Sequence, residues 1–202
     1  MFALIQASGW PIWPLLLASV IALALIIERL TTLRRSRIAP PDLLDKVLAD
    51  LRQKGVSGEM ANRVAAHSPL GKVLAAGLRN VTSSRDVMKE AIEESGRVVA
   101  HELERFLTTL GTIAAISPLM GLFGTIVGMI DIFASQSAAG TNPQQLAQGI
   151  STALNSTGLG LIIAIPATIF WRHFRALVDS FIIEMEQQAI RLVEVVHGER
   201  RV

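Results

Sequence analysis

The chain contains no cysteine and no tyrosine. The first absence excludes disulfides, thiolate metal ligands and a cysteine nucleophile, and it leaves the redox compartment unmarked. The second leaves Trp10, Trp13, Trp171 and the phenylalanines as the aromatic side chains able to anchor at a membrane surface. Charge is sparse too: 18% of residues are Asp, Glu, Lys or Arg, against 50% hydrophobic, and the mean hydropathy is +0.45. That is more apolar than an ordinary soluble domain of this length. A P-loop, a GxGxxG and a GxSxG are all missing. His67, His101, His173 and His197 have no metal-ligand spacing to one another or to acids. These absences argue against an enzyme and imply no cofactor and no metal. Arg200-Arg201 reads as a solvated tail or a contact to lipid phosphate, not as a nucleic-acid site.

What is present is long apolar runs. Crossing about 30 Å of hydrocarbon takes about 20 such residues, and three stretches qualify: 10–30, 107–134 and 146–171. The runs are continuous and not alternating, which suits helices and not barrel strands. Residues 1–27 hold no Lys or Arg, so the basic start of a signal peptide is lacking and the first run is expected to be an uncleaved span. Arg29, Arg34, Arg35 and Arg37 follow the first run, and Arg172 and Arg175 follow the third. All 19 basic residues then fall on one side. The positive-inside rule places 1–9 and the 135–145 loop outside, with 31–106 and 172–202 inside, on the cytoplasmic face. The fold class expected is all-α: an integral membrane protein with three transmembrane helices, two of them running on into a cytoplasmic helical region.

In 31–106, Pro40-Pro41-Asp42 opens a short helix with Leu43, Leu44, Val47, Leu48 and Leu51 at helical spacing. Further helices are expected over 59–66 and from Pro69 to about Asn80. Thr82-Ser83-Ser84 then offers an N-cap with Asp86 near the positive helix end. From there one long helix is predicted, from about Ser84 to Ala134, with Gly96, Gly111 and Pro118 as possible bends. Past the third span, Phe174, Val178, Phe181, Met185, Ala189, Leu192 and Val196 recur at steps of three or four. This seam fits packing on the chain's own helices or packing between copies.

Two membrane stretches carry unusual residues. In the second span Gly121, Gly124 and Gly128 share a stripe, and Gly124 to Gly128 is a GxxxG. Small residues let helix backbones approach closely where lipid gives no hydrophobic drive between helices. In the third span the run Ser151-Thr152-Ala153-Leu154-Asn155-Ser156-Thr157-Gly158 is too polar to face lipid. Thr152, Asn155 and Ser156 share one helix face, and Thr157, Leu161, Ala164 and Thr168 share another. Interhelical hydrogen bonding and a polar conduit both account for them. Pro166 removes one backbone bond from this helix. No Asp, Glu or His lies inside spans two and three except Asp131 near the outer end. Glu28 sits beside Arg29 at the inner end of span one, where a salt bridge or snorkelling fits better than proton transfer. Hydroxyls do not titrate near neutral pH. A proton crossing here therefore needs a carboxylate from another molecule.

These residues resemble a known family. Gly121-Leu122-Phe123-Gly124-Thr125 with Gly128, and Ala153-Leu154 through Thr157 to Ala164-Ile165-Pro166-Ala167, are similar to the MotA/TolQ/ExbB proton-channel family, as are Pro69-Leu70-Gly71 and Glu28-Arg29. Three spans in place of four point to its ExbB/TolQ branch. The resemblance implies a homopentameric ring in a bacterial inner membrane, surrounding a dimer of single-span ExbD- or TolR-like partners. The partner's membrane aspartate would carry the proton, and the complex would energise a TonB- or TolA-like protein. Thr125 and Thr157 match the family's pore threonines, expected to face the partner helix, with Thr152, Asn155 and Ser156 nearby on the path. Gly121, Gly124, Gly128, Gly158 and Pro166 are expected at helix packing. The ExbB pattern often has Glu where this chain has Thr152, and Ala where it has Gly158. The first departure takes a subunit glutamate out of the relay, and the second opens space beside Thr157. A stand-alone ion channel and an assembly scaffold are the competing readings.

Overall fold

The computed structural model describes residues 12–55, 57–135 and 143–198. Among them every regular element is a helix: α1 (Ile12–Thr32), α2 (Arg35–Ile38), α3 (Leu43–Lys54), α4 (Gly58–His67), α5 (Pro69–Arg79), α6 (Arg85–Glu104), α7 (Leu107–Ser135) and α8 (Pro143–Val196). Three of the helical stretches are long and apolar enough to cross a membrane. Trp10, the 136–142 segment and Arg200-Arg201 lie outside the described residues.

Serines start the short helices. The Ser57 hydroxyl accepts the Met60 N–H and the Ser68 hydroxyl accepts the Gly71 N–H, both at 3.1 Å, and Ser84 accepts from Val87 at 3.5 Å. Each satisfies an amide that the first turn leaves without a carbonyl. Gly55 closes α3 at φ 68, the left-handed region where a Cβ is a penalty. The short helix α2 was not legible in the sequence.

The chain divides into two compact units. One holds the described residues up to Glu28 together with Phe106–His173, and the other holds Arg29–Arg105 with Phe174 onward. In the second unit α5 packs on α4 and α6, and Leu44, Leu48, Leu70, Leu74, Leu78 and Met88 are fully buried. The seam of α8 joins this core: Phe174, Val178, Phe181, Met185, Ala189 and Leu192 are all buried by the chain itself, while Val196 is partly exposed. Packing on the chain's own helices thus accounts for the seam. Arg35 pairs with Glu184 at 2.6 Å and Lys72 with Glu102 at 2.6 Å, in exposed positions where such pairs contribute little.

The first unit is built the other way round. Where α7 and α8 meet, its buried positions are small or hydroxylic: Ala114, Ser117, Gly121, Gly124, Ala153, Ser156, Gly160, Ala164 and Ala167, while Ile12, Leu15, Ile26, Leu107 and Leu110 are buried elsewhere in the unit. Its exposed ones are large and apolar: Leu17, Val20, Leu119, Ile126, Ile130, Ile162, Ile165 and Ile169 among others. In water so much exposed apolar surface promotes association. In hydrocarbon it costs nothing, and close backbone packing becomes the source of helix association.

The single helix expected over Ser84–Ala134 is not what forms. α6 ends at Glu104 and α7 begins at Leu107, with Arg105 at ψ 138 and Phe106 at φ 65. The break avoids the predicted bends: Gly96, Gly111 and Pro118 all lie within continuous helices. A left-handed phenylalanine costs roughly 1–2 kcal/mol, and nothing in its sequence neighbourhood announces it. The break falls on the boundary between the two units.

The core assignment predicts contrasting effects in the second unit. Leu192→Ala, at a fully buried position, should destabilise by about 2–5 kcal/mol. Val87→Ala, 47% exposed, should change stability by under about 0.5 kcal/mol. Thermal unfolding of the detergent-solubilised protein measures both.

Candidate functional site

α7 and α8 lie antiparallel, as successive contacts show. A Cβ at Gly149 would meet Ile132, one at Gly128 would meet the Ala153 Cβ at 3.2 Å, and one at Gly121 would meet the Ser156 carbonyl at 2.9 Å and the Thr157 Cα at 3.0 Å. Further along, Gly111 lies under the Trp171 ring. The closest approach is at Gly160. A Cβ there would sit 2.5 Å from the Ser117 carbonyl and 3.1 Å from the Gly121 Cα. Two glycines therefore face each other with backbone against backbone, and neither can become alanine without moving a helix.

One turn away, this closeness lets hydroxyls bridge the helices. Thr125 Oγ1 lies 2.6 Å from Thr157 Oγ1. It also lies 3.2 Å from the carbonyl of Gly121 in its own helix and 3.2 Å from that of Ala153 in α8. Both threonines keep partial exposure. Ser156 is 1% exposed, and its hydroxyl has no hydrogen-bond partner among the described residues. Asn155 is partly exposed. The side chain of Thr152 lies outside the described residues.

The glycines expected at helix packing divide. Gly121, Gly124 and Gly128 are on the α7 side facing α8 or buried. Gly158 makes no packing contact within this chain, because a Cβ there has nothing within 4 Å; the glycine of α8 that packs on α7 is Gly160. Pro166 is exposed in this chain, and α8 runs through it. Its missing N–H leaves the helix uninterrupted. At the end of α1, Glu28 is partly buried, while Arg29 is 5% exposed and donates to the Leu103 carbonyl at 3.5 Å.

Sequence reasoning named the threonines but not their contact, and it missed Gly160 and the Ala153 and Ser117 carbonyls. Helical periodicity tells which residues share a face. It does not give the register between two helices, and that register chooses Gly160 over Gly158.

The ionisable side chains on the described helices of this unit are Glu28, Asp131, Arg172 and His173. All stand near helix ends or the unit boundary, away from the threonine pair. No cluster of His, Asp and Glu able to hold a metal exists among the described residues. What this crossing offers is a set of hydrogen-bonded hydroxyls.

Residues 65–187, more than half of the chain, match the MotA/TolQ/ExbB proton channel family. The chain belongs to this family. Both threonines and the Gly121–Gly160 crossing lie within the matched part of the MotA/TolQ/ExbB chain. It is 33% identical over 175 residues to the putative biopolymer transport protein ExbB-like 3 of Synechocystis sp., covering 85% of this chain and 83% of that protein. It is 29% identical over 170 residues to the biopolymer transport protein exbB1 of Vibrio cholerae, covering 80% and 73%. A shorter match of 79 residues, 38% identical, links it to the Tol-Pal system protein TolQ of Haemophilus influenzae, covering 39% and 35%. With three apolar helices, this member of the family is a membrane protein.

The crossing geometry separates the effects of substituting two glycines that stand close together in α8. Gly160→Ala should lower the thermal midpoint, at an overpacking cost of about 1–3 kcal/mol. Gly158→Ala, in open space, should leave the midpoint unchanged or raise it, since alanine is the better helix former.

Proposed function

We propose that this chain is the channel-forming scaffold subunit of a proton-motive-force-driven motor in a bacterial inner membrane. Its copies form a ring, a homopentamer by family resemblance, around a single-span partner of the ExbD/TolR kind whose membrane aspartate carries the proton. The observation behind this reading is the Thr125–Thr157 pair: hydroxyls gathered at an intramembrane helix crossing with no titratable group among the described residues of their unit beside them. Such a lining hydrogen-bonds a passing carboxyl and does not compete for its proton.

The basic residues that follow the first and third spans support a direction with the N-terminus periplasmic and the C-terminus cytoplasmic. Each proton crossing about 100 mV releases about 2.3 kcal/mol. That energy moves the partner helix against the ring, and the ring stays passive. The relatives named for biopolymer transport favour a client of the TonB kind. The TolQ match supports a second reading, a Tol-type subunit serving a TolA-like protein and outer-membrane integrity. In both, the same threonines line the path.

Thr157→Val keeps the shape and removes the hydroxyl. The variant should assemble with its partner as the parent does, measured by the mass of the co-purified complex, while energised transport falls at least tenfold, a barrier change of about 1.4 kcal/mol. Transport at the parental rate by a fully assembled variant would exclude Thr157 from the path.

A further inference from the structure

We propose that the Thr125–Thr157 pair presents only hydrogen-bond acceptors to what lies beside it, and so recognises a carboxylic acid in its protonated form and turns a carboxylate away. This rests on the reading above, in which a carboxyl from another molecule passes the site.

The argument is a count of hydrogens. Thr125 Oγ1 has two carbonyl oxygens at 3.2 Å, those of Gly121 and Ala153. Carbonyls can only accept, so the single hydrogen of Thr125 is drawn to them and shared. The 2.6 Å contact between the two threonine oxygens also needs a hydrogen, and Thr157 has the one that remains. The Thr157 hydroxyl therefore donates to Thr125. In the reverse arrangement Thr125 would donate to Thr157. Its lone pairs would then face two carbonyl oxygens with no hydrogen between them, in surroundings of low dielectric where such contacts are costly.

With its hydrogen used, Thr157 has lone pairs left and nothing to donate. It is partly exposed, and the neighbouring Gly158 has open space at its Cβ position, so a group from outside the chain can reach it. A protonated carboxyl has an O–H to give. A carboxylate has only lone pairs, which would meet the lone pairs of Thr157. No charged side chain of this unit cancels the preference. α8 has no ionisable side chain before Arg172 and His173. On α7 the one such residue is Asp131, about 9 Å along the axis from Thr125, and α1 carries Glu28 and then Arg29 at its last turn, where the other unit begins. The pair thus acts as a gate on protonation state: the acid crosses neutral or not at all.

The test uses the full chain in lipid vesicles with a synthetic single-span leucine–alanine helix carrying one central, isotope-labelled aspartic acid. Infrared absorption of the labelled carboxyl follows its protonation against pH. Hydrogen bonding to the neutral form favours it, so the parental chain should shift the midpoint upward by about one pH unit relative to the helix in lipid alone. Thr157→Ser should keep that shift and Thr157→Val should abolish it. A midpoint that rises in Thr157→Val would show that the hydroxyl had been donating to the carboxylate, and would overturn the proposal. Equal midpoints for parent and Thr157→Val would overturn it too. Because the chain has no cysteine, a Gly158→Cys variant reports position by disulfide formation with a cysteine beside the aspartic acid. Equal midpoints with that disulfide present sink the acceptor-only pair and leave the proposed function standing; equal midpoints without it count against both.

Discussion

Where α7 passes α8, Gly121 and Gly160 set backbone against backbone, and the rest of the membrane unit follows from that contact. Two helices that close can share hydrogen bonds between a side chain of one and a main-chain carbonyl of the other. Thr125 does so with Ala153 and then meets Thr157. Inside hydrocarbon a hydroxyl without a partner is expensive, so both the pair and the approach that permits it are maintained together. Interhelical bonds of this kind contribute about 1 kcal/mol each. That is modest for stability, but it fixes where the hydroxyls point.

The two units of the chain rest on different physics. The helices from Arg29 to Arg105 and the later part of α8 gather Leu70, Leu74, Leu78, Met88, Phe174 and Leu192 into a dry core, driven by removal of apolar surface from water. The membrane unit cannot use that drive, because lipid is as apolar as its side chains. Between α7 and α8 it places glycine, alanine and serine, and it leaves many isoleucines, leucines and phenylalanines exposed. One helix, α8, serves both regimes without interruption, and its composition changes from glycine and threonine to a seam of large residues as it passes from one to the other.

Much of the fold was legible in the sequence, and what was not has physical reasons. The three apolar helices, the helix after Pro69 and the cap at Ser84 are each written in local pattern: run length, spacing, a serine before an acidic first turn. Thr125 and Thr157 stood out because hydroxyls in a membrane span need an explanation. The break at Phe106 did not, because a left-handed phenylalanine has no local signature, and helix breaks are ordinarily marked by glycine or proline. Gly158 and Gly160 were indistinguishable, since both sit in the same polar stretch and only the offset between α7 and α8 assigns one to the interface. The direction of the threonine hydrogen bonds likewise depends on two carbonyls that no side-chain pattern reveals.

The account depends on the membrane interior of this chain holding hydroxyls and close-packed glycines with nothing that exchanges a proton, so that the acid must arrive on another molecule. Proton flux in vesicles tests this directly, using the purified chain and an imposed pH gradient with a pH-sensitive dye inside. Alone, the chain should dissipate the gradient no faster than lipid does, and adding a single-span partner with a membrane aspartate should make flux appear. Rapid dissipation by the chain by itself would contradict the account.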